Sequence, residues 1–277
     1  MPIPPSGSRS GAPLGVFDSG LGGLTVVRAL RDRMPGESIV YLGDTARVPY
    51  GTRSKETVVK YALGCAKVLT NRGVKAIVVA CNTVSAVALD ILRIELDLPV
   101  LGVIEPGARA AALAAPDDII GVLGTAGTIA SGAYARAVAA VSTRAEVIGQ
   151  AAPLLVPLVE EGWTDGDVPR LAVRRYLEPL LARGARVIVL GCTHYPLLRD
   201  LIEREAEALA GQPIRIVDSA HATADAVADF LQDRGAVARR IEPAQLDLLV
   251  TDLPKGFSDV ASRFLGEAVL RVSQIDL

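Results

Sequence analysis

Nine short runs rich in valine, isoleucine and leucine punctuate this chain of 277 residues, and between most of them lie longer segments with apolar residues at helical spacing. That alternation is the pattern of a parallel α/β protein. Candidate strands are Leu14–Asp18, Ser38–Leu42, Ala76–Ala80, Val100–Val103, Ile119–Leu123, Glu146–Ile148, Val187–Leu190, Ile214–Val217 and Leu246–Val250. Helices are predicted over Gly23–Met34, Ser54–Arg72, Val84–Leu96, Ile129–Val141, Pro169–Arg183, Pro196–Ala210, Thr223–Arg234 and Gly256–Leu265. The strands are almost continuously apolar, so the sheet should be covered by helices on both faces.

The chain also repeats itself. Leu69-Thr-Asn-Arg-Gly-Val-Lys-Ala-Ile-Val-Val-Ala-Cys81-Asn82-Thr83 aligns with Leu180-Leu-Ala-Arg-Gly-Ala-Arg-Val-Ile-Val-Leu-Gly-Cys192-Thr193-His194. Six of the fifteen positions are identical, the Leu, Arg, Gly, Ile, Val and Cys. The match suggests two halves, roughly 14–104 and 105–217, with Cys81 and Cys192 at corresponding places. Doubly wound sheets bind ligands beyond the carboxyl ends of their strands. Two such domains facing each other would bring both cysteine loops to one cleft.

Composition narrows the function classes. Basic and acidic residues number 29 and 31, giving a formal charge of −2, which does not suggest a nucleic-acid or anionic-membrane surface. Three cysteines without framework spacing argue against a disulfide-stapled secreted protein and favour a reducing cytoplasm. No apolar stretch approaches the roughly 18–20 residues of a membrane span. Residues 1–13 are rich in proline, glycine and serine, have no apolar signal core, and are predicted to form a disordered leader. Two histidines, His194 and His221, and no paired cysteine spacing make a metal site an unfavoured reading. His221 reads most simply as a polar residue at a helix start.

Chemistry-bearing residues gather where strands end. Gly15-Val-Phe-Asp18-Ser19-Gly20-Leu21-Gly22-Gly23-Leu24-Thr25 turns tightly from a strand into a helix whose free N–H groups favour an anion. Asp18 there is either a simple cap or a functional carboxylate. Thr25 replaces the third small residue of a dinucleotide fingerprint, so that reading fits poorly. Pro49 and Gly51 impose a rigid turn around Tyr50. Cys81 and Cys192 each end a strand ahead of a predicted helix, whose N-terminus lowers a thiol pKa. Asn82, Thr83 and Thr193 offer donors and acceptors for an ammonium or carboxylate group, and His194 can exchange a proton with Cys192. Cys65, inside a helical segment, reads as an inert buried thiol. Gly124-Thr125-Ala126-Gly127-Thr128 is another helix-start anion loop, and Glu160 follows an apolar run carrying two prolines, facing either solvent or a cleft.

Gly15-Val-Phe-Asp-Ser-Gly-Leu-Gly-Gly-Leu-Thr25, Ala80-Cys-Asn-Thr83 and Gly191-Cys-Thr-His-Tyr-Pro196 together closely resemble the glutamate racemase family of the aspartate/glutamate racemase superfamily, from about Leu14 to Gly266. Cys-Thr-His, rather than Cys-Thr-Glu, is similar to the glutamate branch. The resemblance implies two flavodoxin-like doubly wound parallel-sheet domains facing each other across the active site. One would comprise 14–104 plus 218–277 and carry Cys81; the other would comprise 105–217 and carry Cys192. It further implies cofactor-independent racemisation of L- and D-glutamate, with Cys81 acting on the D and Cys192 on the L enantiomer. Asp18 would support the first thiol, His194 and Glu160 the second. Substrate contacts would come from Asp18, Ser19, Pro49, Tyr50, Gly51, Asn82, Thr83, Thr125, Thr128, Thr193 and His194. No cofactor and no metal are expected, and a cytoplasmic homodimer supplying D-glutamate for peptidoglycan is the implied context. A sister enzyme on another substrate, an anion-binding regulatory module and a thiol redox protein with a Cys81–Cys192 disulfide are the competing readings.

Overall fold

The computed structural model describes residues 10–238, 244–269 and 271–277. Most of the leader assigned to residues 1–13 lies outside the described residues. The first half runs β1 (Leu14–Asp18), α1 (Leu24–Arg33), β2 (Ile39–Gly43), α2 (Lys55–Asn71), β3 (Ala76–Val79), the short α3 (Asn82–Val87) and α4 (Leu89–Glu95), β4 (Val100–Gly102) and α5 (Ile104–Ala114). The second runs β5 (Ile119–Gly124), α6 (Ala126–Ala130), α7 (Ala133–Ala139), β6 (Glu146–Ala151), α8 (Leu155–Glu160), α9 (Asp167–Ala182), β7 (Ala185–Gly191), α10 (Arg199–Ala210) and β8 (Arg215–Asp218). The chain then continues through α11 (Ser219–Asp233), β9 (Leu246–Val250), α12 (Phe257–Leu265) and β10 (Ser273–Gln274).

All strand pairs are parallel, and they form two sheets with orders β10-β9-β2-β1-β3-β4 and β6-β5-β7-β8. Each contains the order second-first-third-fourth of its own half, the flavodoxin-like winding. The alternation of apolar runs therefore predicts the architecture correctly, and all nine candidate strands are present. β9 lies beside β2 in register Ile39↔Leu246, so the end of the chain adds to the first sheet. Every residue of β1, β2 and β3 is buried, and β5, β7 and β8 are buried along most of their length, whereas the edge strand β6 keeps one buried residue of six and β10 is exposed.

The duplicated segment has a backbone cause. In both copies a helix ends at an arginine, Arg72 or Arg183, and the next residue is a glycine in the left-handed region, Gly73 at φ 70° and Gly184 at φ 88°. Glycine takes that conformation without a Cβ penalty and reverses the chain into the third strand of each sheet. The cysteines thus occupy the same topological place twice.

Three features differ from the sequence reading. The predicted helix 84–96 is two helices meeting at Ala88, and 129–141 is broken at Gly132, whose φ is 66°. Helices α5 and α8 were not anticipated. Each carries proline at its third position, Pro106 and Pro157, where the missing N–H has no intrahelical partner to lose. Residues 195–198 form a 3-10 turn, so α10 starts at Arg199 rather than Pro196.

Beneath the first sheet, Lys75 at the foot of β3 is buried and donates from Nζ to Glu37 Oε2 (2.6 Å), the Ala236 carbonyl (2.8 Å) and the Ser10 carbonyl (3.2 Å). Glu37 Oε1 in turn accepts from the Ala238 amide at 2.7 Å. Among the described residues no helix is long and apolar enough to cross a membrane.

Candidate active site

The first thiol is set by β1 and β3. Asp18 ends β1, fully buried, and its Oδ2 accepts from the Gly20 amide at 3.0 Å. The amides of Ser19 and Gly23 also favour its charged form. The loop N–H groups that the sequence offers to a ligand anion are therefore occupied by the protein's own carboxylate. Burial, the largest influence, nevertheless pushes the Asp18 carboxyl above its ordinary range, against the opposing charge of His194. Cys81 follows β3 and precedes α3, and its thiol donates to Ser19 Oγ at 3.5 Å. Burial first, and the Asp18 charge second, push the Cys81 thiol up to about 12. This reverses the expectation that the helix N-terminus lowers it: α3 has six residues, and desolvation outweighs its dipole.

The second thiol is set differently. Cys192 follows β7, and no α-helix begins behind it; its neighbour is the imidazole of His194, with Nδ1 at 3.9 Å from Sγ. His194 Nε2 lies 3.0 Å from Glu160 Oε1 at the last residue of α8. Glu160 thus faces the cleft, with its side chain 42% exposed. Burial alone would lower the His194 pKa, but its hydrogen bonds to Cys192 and Glu160 more than offset this and hold it near 10. Both hydrogen bonds favour the charged imidazole beside the second sulfur. The imidazole and the Phe264 ring of α12 pack in a T-shaped pair with centroids 5.0 Å apart, and Arg263 Nη2 donates to the Glu160 carbonyl at 2.8 Å.

A linkage consequence follows from His194. Its folded-state pKa is raised above the unfolded value of about 6.5, so its contribution to stability is complete below that pH. The contribution is lost as pH rises toward 10. The thermal midpoint of the protein is expected to fall more steeply between about pH 6.5 and 8.5 than that of His194→Asn. His221, raised by Asp218, contributes equally to both proteins and cancels in the comparison. Parallel midpoint curves for the two would remove the charged pair.

The two halves meet through short polar contacts. Thr83 Oγ1 is 2.9 Å from Thr125 Oγ1, which lies 3.0 Å from Thr128 Oγ1 and caps α6 through the Thr128 amide. Thr25 Oγ1 donates to the Thr193 carbonyl at 3.1 Å, and Tyr134 donates to Asn82 Oδ1 at 2.8 Å. Gly22 allows the approach, because a Cβ there would collide with the Thr193 hydroxyl and the His194 ring. Among the described residues, the buried side-chain polar atoms without a partner are Asp18 Oδ1, at the end of β1, and Asn82 Nδ2, next to Cys81.

The Pro49-Tyr50-Gly51 loop packs against the same region, with Gly51 under Thr125. The Tyr50 hydroxyl donates to buried Asp44, which also accepts from Arg47 Nε (3.0 Å) and Thr251 Oγ1 (2.8 Å). Any contact of this loop with a ligand therefore falls to groups other than that phenol. Sequence reasoning missed Asp44, Tyr134, Arg263 and Phe264, because none stands in a motif. Cys65, Cys81 and Cys192 are all free thiols, and Cys65 is buried among core residues. Among the described residues no three histidine, cysteine or acidic side chains are grouped to hold a metal ion.

Two free thiols thus stand at equivalent strand ends of two parallel α/β halves, with Asp18 near one and His194 beside the other. Residues 24–227 match the family model described as Asp/Glu/Hydantoin racemase, and the chain belongs to that family. Its similarity lies with the glutamate racemase branch. A glutamate racemase of Geobacter metallireducens is 48% identical over 264 residues, 95% of this chain and 96% of the relative. The glutamate racemase of Francisella tularensis, solved in complex with D-glutamate, superposes with a TM-score of 0.88 at 34% identity, covering 96% of this chain and 98% of that one. The Thermus thermophilus enzyme, in complex with β-chloro-D-alanine, gives 0.86 at 42% identity, covering 98% and 99%.

Proposed function

We propose that this enzyme interconverts L- and D-glutamate by two-base proton transfer at Cα, with no cofactor and no metal. The observation that carries the mechanism is the unequal pair of thiols. Cys81 is held as a neutral proton donor by burial and Asp18, while Cys192 faces a protonated His194 that is itself held by Glu160. L-glutamate would meet its base on the Cys192 side, beside His194, and its acid on the Cys81 side, beside Asp18. Turnover of L-glutamate moves the α-proton to Cys192 as Cys81 gives up its own, leaving the pair set for the D enantiomer.

An α-proton beside a carboxylate is weakly acidic, and negative charge develops on that carboxylate as it leaves. Donors fixed in a dry cleft meet this charge without reorganisation. Asn82 Nδ2, buried without a protein partner, would be one such donor, with Ser19, Thr83, Thr125, Thr128 and Thr193 completing the pocket with the Pro49-Tyr50-Gly51 loop. Glutamate as substrate is supported by the D-glutamate complex of the Francisella relative. Residues 14–104 with 218–277, and residues 105–217, would form the two lobes. Supply of D-glutamate for peptidoglycan, a cytoplasmic location and a homodimer complete the reading by family.

Racemisation of L-glutamate in D₂O without added cofactor tests it. The D-glutamate formed should carry deuterium at Cα, while unreacted L-glutamate stays protiated early in the reaction, because separate thiols remove and deliver the proton. Early deuterium in the recovered L enantiomer would refute the two-base scheme. Optical stability of L-glutamate alongside loss from L-aspartate would refute the substrate.

A further inference from the structure

Asn82 directly follows Cys81, and one end of its amide is already committed. Tyr134, from α7 in the other half, donates its phenolic hydrogen to Asn82 Oδ1 at 2.8 Å, with both side chains buried. The Tyr134 ring also packs on the second cysteine loop: a Cβ added at Gly191, the residue before Cys192, would stand 3.1 Å from Cε2. One tyrosine therefore touches both thiol-bearing loops. Burial keeps the phenol protonated well beyond neutral pH, so it remains a donor.

An unrestrained carboxamide can turn either its oxygen or its NH₂ toward a ligand. Only the NH₂ suits a carboxylate; the oxygen would repel it. We propose that Tyr134 is a positioning residue for substrate recognition: by holding Asn82 Oδ1 across the interface, it commits Nδ2 to a carboxylate oxygen of the bound amino acid. The commitment exists only while α7 and α3 are together, so recognition is tied to contact between the halves. The inference rests on the glutamate reading of the site.

Tyr134→Phe removes the hydroxyl and keeps the ring that packs on Gly191 and the α5–α7 core. Its KM for both enantiomers is expected to rise about five- to tenfold, the worth of one buried hydrogen bond, with kcat changed less than about threefold. In an Asn82→Ala background the same change should add nothing further, since the hydroxyl acts through the amide. In ¹H–¹⁵N spectra of the free protein, the Asn82 side-chain amide pair, assigned by its loss in Asn82→Ala, should shift and broaden in Tyr134→Phe. A fall in kcat at unchanged KM, independent effects in the double variant, or an amide pair that stays in place would each overturn the positioning role. The spectral reading needs no substrate. Failure of the wild type to racemise glutamate is thus a separate result, and it would overturn the function proposed above.

Discussion

Cys81→Ala and Cys192→Ala are each expected to lower racemisation by at least about a thousandfold in both directions, the scale of a lost general acid or base. Both directions suffer because every turnover uses each thiol once, one to remove the α-proton and the other to replace it. Removing a small buried side chain of this kind costs about 1 kcal/mol, so the thermal midpoint should move only a few degrees. The partial reactions separate the thiols. With Cys192 intact, Cys81→Ala should still wash the α-proton of L-glutamate into solvent without inverting it; Cys192→Ala should do so with D-glutamate. The crossed outcome would exchange the two assignments, and racemisation within about tenfold of wild type in either variant would end the two-thiol mechanism.

The two sites are unequal because a repeated scaffold carries unrepeated neighbours. Cys81 and Cys192 follow the third strand of their sheets after matching arginine–glycine reversals, yet one faces Asp18 and the other His194. The helpers are also linked, since the His194 charge opposes the upward pull of burial on Asp18.

The strand order of the alternation and the two cysteine loops are legible in the sequence for a physical reason. Strand runs, the two cysteine loops, Asp18 and His194 lie in contiguous segments whose local pattern carries their meaning. Helices α5 and α8 carry Pro106 and Pro157, which interrupt a helical pattern in sequence although at the third helical position they cost no hydrogen bond. The supports of the site were hidden for another reason. Tyr134 to Asn82, Arg263 to Glu160 and Asp44 to Thr251 join residues 52, 103 and 207 positions apart. No local pattern marks such pairs. Cys192 shows the limit of periodicity at a strand end: Tyr195–Leu198 wind as a 3-10 turn, so the histidine, rather than a helix terminus, is the group beside the sulfur.

Lys75→Met should destabilise the protein by about 3–5 kcal/mol, the cost of leaving one member of a buried ion pair alone. The side chains of Lys75 and Glu37 are each 2% exposed, so water cannot replace the lost partner. Three loops converge on this pair: Ser10 ahead of β1, Glu37 between α1 and β2, and Ala236 and Ala238 behind α11. The substitution strips the Ala236 carbonyl of its donor as well, which adds to the loss. A midpoint lower by on the order of 10 °C is the expected reading, and a shift under about 3 °C would show the pair to be dispensable. Replacing both charges, Lys75→Met with Glu37→Leu, should recover part of the loss, because no buried charge is then left alone. Recovery should stay incomplete, since the Ala238 amide and the Ala236 carbonyl remain unpaired. The consequence reaches the chemistry through the chain that follows. Residues 236–238 lead into β9, whose end precedes Thr251 on Asp44, and then into α12, which holds Glu160 and flanks His194. Warming Lys75→Met should therefore abolish turnover several degrees before the second sheet melts, as read by amide exchange in β5 and β7. Coincident loss of activity and of both sheets would show instead that the return segment and the second half unfold as one unit.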